Sequence, residues 1–320
     1  MHVCPTCVPT SRISSTARAR PIRGSKASGS TVGCPHPTLW SFSSTERATP
    51  TWNCRAMKRS ATSSTPRATS CGKCRRRSQK KVPETDAIFD QIHQVNADAD
   101  ASEHDLRLSV DCKGAVKIGE FSRGGTSRVR VKALDHDFKP DAVLIPIGIL
   151  VPQYDEVFID FVPSPATSDA IVDAIESFWR DNAKRYGRID RLVIDLDNGA
   201  ENHSRRTRFV QRMVQFVDAQ DVGVQLAYYP PYHSKYNPVE RVWGALENAW
   251  NGDLLDTIEA ALHHAQSMKW NGNHPVVRFI DRIYEKGIRL GDAAMRALEE
   301  RLERLPGLEK WFVDIAPVPA

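Results

Sequence analysis

From residue 82 onward the chain has the sequence of an ordinary globular protein, and between residues 106 and 162 its hydrophobic and polar positions predict three sequential strands. The stretch LRLSVDCKG (106–114) alternates between apolar and polar residues and ends in a charged turn. The run AVLIPIGILV (142–151) is continuously apolar and has the length of a buried central strand, and EVFIDFV (156–162) predicts another strand. Between the first two, FSRGGTSRVRVKAL (121–134) contains a Gly-Gly pair typical of a hairpin.

After residue 162, helical and strand patterns alternate. The stretch 168–187 has apolar residues at helical spacing, with Ser168 as the predicted N-cap. A buried strand, a second helix, a last strand and a further helix follow over residues 188–199, 202–220, 222–229 and 238 onward. Three strands followed by alternating helices and strands predict an α/β fold with a mixed sheet and flanking helices. The ribonuclease H-like fold has this order.

Composition divides the chain at about residue 82. The formal net charge is +5, but residues 1–82 hold 16 of the 44 basic residues and one of the 39 acidic ones, a net charge of +15. The remaining 28 basic and 38 acidic residues give the rest of the chain a net charge of −10. We therefore predict a disordered basic tail rich in Ser, Thr and Arg (1–82), a ribonuclease H-like domain (83–250) and a helical C-terminal extension (251–320).

The N-terminal tail, residues 1–82, also holds six of the seven cysteines. Its CPTC and CGKC pairs are 63 residues apart, whereas zinc ribbons space such pairs by about 15–20 residues, so disorder is favoured over a zinc site. The abrupt change of composition near Gln79 suggests a further hypothesis, out-of-frame translation.

Cysteine usage and hydropathy bear on the compartment. A single cysteine, Cys112, lies outside the tail, so this part is not a disulfide scaffold and suits a reducing compartment. No apolar run approaches the ~18 residues of a membrane span, and no signal peptide is readable at the N-terminus. We expect a cytoplasmic protein.

Acidic residues fall at the ends of the predicted strands, where ligand sites of open sheets collect. Asp111 ends the first strand, Asp195 and Asp197 end the fourth, and Glu240 opens the helix after the fifth. Converging carboxylates repel one another unless cations are present, and two Mg²⁺ ions about 3.5–4 Å apart would resolve this and prepare a phosphodiester for in-line attack. Asp197 is favoured over Asp195, because the Asn-Gly turn that follows leaves Asp197 at the exposed end of the strand.

Glu240 has two interpretations. Asn237 is a candidate N-cap and Pro238 a candidate first helical residue, which puts Glu240 at the third helical position. A glutamate there is often half of a capping box. The strand-end aspartates favour a site instead, because Pro230 and Pro231 stiffen the preceding loop and fix the approach of the glutamate to the sheet.

Three stretches resemble the carboxylate blocks of DDE insertion-sequence transposases: VDCKGAVKIGEFSRGG, VIDLDNGAEN and YYPPYHSKYNPVERVW. The similarity is greatest to the ISAzo-like group, distant relatives of the Tc and mariner transposases, and extends over about residues 80–317, including RLPGLEKWFVDIAP. The resemblance implies a ribonuclease H-like core, two Mg²⁺ or Mn²⁺ ions and transposon-end DNA as substrate. It also implies Asp111, Asp197 and Glu240 as catalytic metal ligands. Relatives carry an N-terminal helix-turn-helix region, which residues 1–82 do not show.

Basic residues near these blocks are candidate contacts to DNA phosphates, with a solvated protein surface as the alternative: Lys113, Arg123, Arg205, Arg206 and Arg208. The leading hypothesis is a bacterial, nucleoid-associated transposase that cleaves double-stranded DNA at transposon ends and joins the freed 3′-hydroxyl to target DNA. It would act as a homodimer in a DNA complex. The alternatives are an inactive remnant that binds DNA non-specifically through its tail, and a ribonuclease H-fold nuclease without strand transfer.

Overall fold

The computed structural model describes residues 82–121, 133, 139–288 and 290–318, which belong to one compact unit spanning 73–320. The predictions made for the tail up to residue 81, for Arg123 and for most of the 121–134 hairpin lie outside the described residues. The helices are α1 (Thr85–Ala101), α2 (Ser168–Asn182), α3 (Thr207–Gln220), α4 (Glu240–Trp250), α5 (Ile258–Ser267) and α6 (Asp292–Glu299). None of these helices is long and apolar enough to cross a membrane.

The strands form a mixed sheet with the order β7-β4-β3-β1-β5-β6-β9-β8, and β2 pairs with β3. Strand β3 runs antiparallel to β1 and β4, whereas β1, β5 and β6 are parallel to one another. Three antiparallel strands followed by two parallel strands, with helices in the connections, confirm the predicted ribonuclease H-like fold. The strands are β1 (Asp105–Cys112), β2 (Val116–Ile118), β3 (Ala142–Val151), β4 (Glu156–Val162), β5 (Arg191–Leu196), β6 (Gly223–Tyr228), β7 (Val276–Phe279), β8 (Leu302–Arg304) and β9 (Phe312–Ile315).

Two hydrophobic cores cover the two faces of this sheet. Successive side chains of a strand point to opposite faces, and the neighbours Ile149 and Leu150 of β3 accordingly belong to different cores. One core includes residues of α1, α2 and α3, and the other includes residues of α4 and α5. Burial on both faces explains why the sequence of β3 is continuously apolar.

Two elements differ from the sequence-based expectation. Helix α1 was not predicted, although its buried residues Ile88, Ile92, Val95 and Ala99 have helical spacing. The C-terminal segment was predicted to be helical, and this is only partly correct. It contains α5 and α6, but also β7, which pairs with β4, and β9, which pairs with β6. These strands have four residues each, too few for an alternating pattern to be recognised.

Candidate active site

The parallel pair β1 and β5 brings two carboxylates to one edge of the sheet. Val110 pairs with Leu196, so Asp111 and Asp197 occupy the next position of the register at the carboxyl ends of both strands. Both residues line a cavity of about 160 Å³, which we call the acidic cavity. Residues 199–202, which follow Asp197, form another part of its wall.

The third predicted carboxylate, Glu240, is the first residue of α4. Burial raises the pKa of the Asp111 carboxyl from its usual 3.8 to about 7, and the hydrogen bond from Trp243 acts in the opposite direction. The charges of Asp197 and Glu240 raise the pKa of Asp111 further, so both carboxylates lie close enough to repel it. The structure therefore places Asp111 and Asp197 on the wall of one cavity, whereas Glu240 is not part of that wall and acts on Asp111 through its charge.

Helix α4 is attached to β1 by Asn237, which the sequence had suggested as its N-cap. That prediction is wrong: the N-cap is Val239, and no side chain caps the helix, so Glu240 is not half of a capping box. Asn237 is fully buried, its Nδ2 donates to the carbonyl oxygen of Val110 at 3.0 Å, and Ser109 Oγ donates to its Oδ1. The backbone N–H of Val239 in turn donates to Ser109 Oγ at 2.9 Å. These bonds fix the start of α4 beside the end of β1.

Trp243 holds the carboxylate of Asp111. Its indole Nε1 donates to Asp111 Oδ2 at 2.7 Å, and the ring is buried one turn into α4. Gly148, the register partner of Asp111 on β3, makes room for this ring. A Cβ at Gly148 would lie 2.5 Å from Trp243 Cη2. Sequence reasoning did not identify either contact, because each joins residues that are distant along the chain.

The loop after β5 holds the carboxylate of Asp197. Asn202 Nδ2 donates to Asp197 Oδ1 at 2.8 Å, and a Cβ at Gly199 would approach both of these side chains within 3.3 Å. Asn202 Oδ1 is buried and has no hydrogen-bond partner among the residues that the structure describes. Ser168, the predicted N-cap of α2, instead donates its hydroxyl to the carbonyl oxygen of Glu201 at 2.7 Å, and Thr167 caps the helix. The loop is thus attached both to Asp197 and to α2.

Asp195 lies deeper and outside the acidic cavity. It is 0 % exposed, accepts a hydrogen bond from Asn96 Nδ2 at 3.1 Å and lies 3.6 Å from Arg107 Nη1. Burial raises its pKa to about 7, and the positive charge of Arg107 opposes this change. Of the two aspartates weighed from the sequence, Asp197 is therefore the one that lines the cavity with Asp111.

The family described as Rhodopirellula transposase DDE domain matches residues 69–317. The chain belongs to this family. No curated protein matches it.

Three solved structures of a transposase are similar to this DDE transposase domain. They are the Mos1 transposase paired-end complex with left transposon end (10 % identity, TM-score 0.37), the Mos1 mariner paired end complex with Mn (9 %, 0.38) and the Mos1 Strand Transfer Complex (9 %, 0.37). The matches cover 60 %, 59 % and 60 % of this chain and 57 %, 57 % and 56 % of those chains. The chain therefore spans just over half the length of these structures.

The basic residues that were predicted to contact DNA divide into those with and those without an internal ion pair. Three of the predicted DNA contacts form internal ion pairs with described acidic residues at 2.8 Å: Lys113 with Glu247, Arg206 with Glu201 and Arg208 with Asp169. Arg205 is exposed and forms no ion pair with any residue that the structure describes. The sequence could not distinguish these cases, because the acidic partners of Lys113 and Arg208 are remote in the chain.

The donor atoms of the acidic cavity are compatible with a hard divalent cation. Carboxylate oxygens are the ligands that Mg²⁺ and Mn²⁺ prefer, and the ionised form of Asp111 is disfavoured first by burial and then by the charges of Asp197 and Glu240. Within residues 82–121, 133, 139–288 and 290–318, no group of three or more His, Cys, Asp or Glu side chains is already arranged to hold an ion. The residues therefore fit such a cation by their chemistry, while the structure shows no ready-made metal site.

Proposed function

We propose that this chain is an active transposase, which cleaves DNA at transposon ends in a metal-dependent reaction and joins the freed 3′-hydroxyl to target DNA. The observation that supports the proposal best is that Asp111 and Asp197 follow paired positions of two parallel strands and line one cavity. Burial disfavours the ionised form of Asp111, and the charges of Asp197 and Glu240 disfavour it further. Neighbouring carboxylates that are all ionised repel one another, and bound cations would remove this repulsion and favour the ionised form of Asp111. In the proposal, these three side chains hold two Mg²⁺ or Mn²⁺ ions.

Such ions would activate the attacking oxygen and neutralise charge on the scissile phosphate. The surrounding residues orient the carboxylates. Trp243 fixes one oxygen of Asp111, and Asn202 fixes one oxygen of Asp197. Hydrogen bonds of this kind set the direction of a ligand and typically change metal affinity by about 10–100-fold when they are removed. Catalysis would thus rest on positioning and charge, without a covalent enzyme intermediate.

The substrate in this proposal is double-stranded DNA, both as transposon ends and as target, bound by two copies of the chain. The protein would accordingly act at the bacterial nucleoid. A phosphodiester substrate requires positive charge near a site that is itself acidic, and Arg205 supplies one such charge on the loop that follows Asp197.

The test is a nicking assay on supercoiled plasmid with the full chain and Mn²⁺, comparing Asp197→Asn with Asp195→Asn. Both substitutions remove one carboxylate from the same strand end, but the second affects a residue outside the acidic cavity. We expect nicking to be lost in Asp197→Asn and in EDTA, to persist in Asp195→Asn, and DNA binding to be retained by both variants. Wild-type nicking by a folded Asp197→Asn protein would refute the assignment.

A second assay separates strand transfer from hydrolysis. A pre-cleaved DNA end with a 3′-hydroxyl should become joined to target plasmid, whereas the same end with a 3′-deoxy terminus should not. Hydrolysis without joining would favour the nuclease alternative. Mn²⁺ binding with neither reaction would favour an inactive remnant of the transposase.

A further inference from the structure

A second cavity lies on the loop that carries Asp197, residues 197–205. It has a volume of about 230 Å³ and is lined by Asn198, His203, Ser204, Arg205 and Lys310. We call it the basic cleft. Other residues of the same loop line the acidic cavity, so one short loop contributes to both. Asn198, which lines the basic cleft, directly follows Asp197, so the cleft begins beside one of the proposed catalytic carboxylates.

The positive charges of the basic cleft are not used inside the protein. Arg205 and Lys310 are exposed, and neither forms an ion pair with a residue described by the structure. The carboxylate of Glu309, which neighbours Lys310 in sequence, accepts a hydrogen bond from the Gly307 N–H at 2.8 Å. In contrast, the nearby Arg206 is paired with Glu201 at 2.8 Å. The basic cleft thus holds two cations that form no ion pair with a described residue, although the charge of Lys310 also acts on the neighbouring carboxylate of Glu309.

His203 adds a neutral hydrogen-bond donor to these charges. Its Nδ1 lies 3.3 Å from the backbone nitrogen of Arg205 and accepts that N–H. Burial lowers the pKa of His203, and the positive charges of Arg206 and Arg205 lower it further, so the ring is neutral at pH 7. A neutral ring that accepts at Nδ1 carries its proton on Nε2. That N–H is a donor of the kind that anionic oxygens accept.

The C-terminal segment is fixed to the loop at this place. Ser204 Oγ donates to the carbonyl oxygen of Lys310 at 2.7 Å, and Arg304 Nη2 donates to the carbonyl oxygen of Ser204 at 3.1 Å. The backbone of Lys310 is therefore held beside Arg205, although the two residues are more than 100 positions apart. These bonds fix the backbones from which the two cations extend, so binding an anion orders the two side chains but not the segments that carry them.

We propose that the basic cleft binds a backbone phosphate of the DNA strand that is cleaved at the acidic cavity, a proposal that rests on the proposed function. An arginine presents a planar fork of donors that matches phosphate oxygens, and a lysine adds a mobile point charge. Together they offset the repulsion between DNA and the carboxylates next to them. Contacts to phosphate fix the position of the strand but do not read its sequence, so Arg205 and Lys310 align DNA of any sequence.

The first test compares two double variants of the full chain, Arg205→Ala/Lys310→Ala and the matched control Lys184→Ala/Arg188→Ala. Each removes two exposed positive charges, although Arg188 is paired with Asp190 at 3.0 Å, and Lys184 and Arg188 precede the amino end of β5, whereas the basic cleft follows its carboxyl end. Binding to a short duplex is measured against salt concentration in EDTA. The slope of log K against log salt should fall by about 0.9 for the lost phosphate contact in the first variant and stay at the wild-type value in the control. Equal slopes in the two double variants would overturn the proposal.

The second test uses the wild-type chain and measures how accessible Lys310 is to a chemical reagent. Acylation of Lys310 and Lys184 in the wild-type chain is followed by mass spectrometry in EDTA, with duplex DNA or with inorganic phosphate. We expect DNA to slow the acylation of Lys310 and to leave that of Lys184 unchanged. Acylation of Lys310 at the same rate with and without saturating DNA would overturn the proposal. Protection by inorganic phosphate but not by DNA would overturn the assignment to a nucleic acid.

These tests are independent of catalysis, because EDTA removes the divalent cations. Protection of Lys310 by DNA in a chain that shows no metal-dependent nicking would refute the proposed activity and retain the basic cleft as a phosphate site. Nicking without any protection of Lys310 by DNA would support the proposed activity and refute the basic cleft as a phosphate site.

Discussion

Replacing Asp111 by asparagine should stabilise the protein when no divalent cation is present. The Asp111 side chain is 7 % exposed, and its pKa is raised from 3.8 to about 7. At 1.36 kcal/mol per pKa unit, the ionised carboxylate costs about 4 kcal/mol of folding stability above pH 7. The asparagine oxygen can still accept the hydrogen bond from Trp243, but its amide group gives up about 1–3 kcal/mol if it is buried without a partner. We therefore expect Asp111→Asn to be more stable than the wild type by about 1–3 kcal/mol at pH 8.

The stability difference between Asp111→Asn and the wild type should depend on pH. Because the folded pKa of Asp111 lies above the unfolded one, the folded state binds the proton more tightly, and this group makes the wild type more stable as pH falls from about 7 towards 4. The gap between Asp111→Asn and the wild type should therefore shrink by about 2–3 kcal/mol between pH 8 and pH 5.

The measurement is urea unfolding in EDTA at the two pH values, with the exposed Asp281→Asn as control. Asp281→Asn should have the same free energy of unfolding as the wild type at both pH values. In Mn²⁺ the order should reverse, because a ligand stabilises only the protein that binds it. The prediction would be wrong if Asp111→Asn were less stable than the wild type at pH 8 in EDTA, or if the difference in unfolding free energy did not change with pH.

Three further predictions concern the residues that support the carboxylates. Trp243→Phe removes the donor to Asp111 and should weaken Mn²⁺ binding by about 10–100-fold in a calorimetric titration; unchanged affinity would show that the indole only fills space. Gly148→Ala places a methyl group 2.5 Å from the Trp243 ring and should lower the free energy of unfolding by about 1–3 kcal/mol, whereas Gly114→Ala, with open space around it, should be harmless. Asn202→Ala removes the donor to the second aspartate and should reduce Mn²⁺ affinity by about 10–100-fold, and Asn202→Asp, which lacks the amide donor, should not restore it.

The elements that the sequence predicted correctly are those with a long and regular pattern. The continuous apolar run predicts β3 and the helical spacing of apolar residues predicts α2, because the positions that are apolar in the sequence are the positions that the fold buries. Helix α1 has the same kind of signal in Ile88, Ile92 and Val95, but its many polar residues and the preceding tail obscured it. The short C-terminal strands have too few residues for any periodicity, and their place in the sheet depends on β4 and β6.

Some features of the candidate site could be predicted from the sequence, and others could not. The strand-end positions of Asp111 and Asp197 follow from the order of the elements, so their meeting at one edge could be predicted. The bonds of Asn237 could not, because its local preference for an N-cap is overridden by Ser109, which is remote in sequence. The neutralisation of Arg208 likewise depends on Asp169, which only the packing of α2 against α3 brings near.

The most direct test of the central claim is the location of Mn²⁺ in a crystal of this chain, determined from anomalous diffraction at the manganese edge. We expect bound manganese between the carboxylates of Asp111, Asp197 and Glu240, within about 2–2.5 Å of their oxygens. Manganese bound at Asp195 or elsewhere, with these three carboxylates free of metal at saturating Mn²⁺, would contradict it.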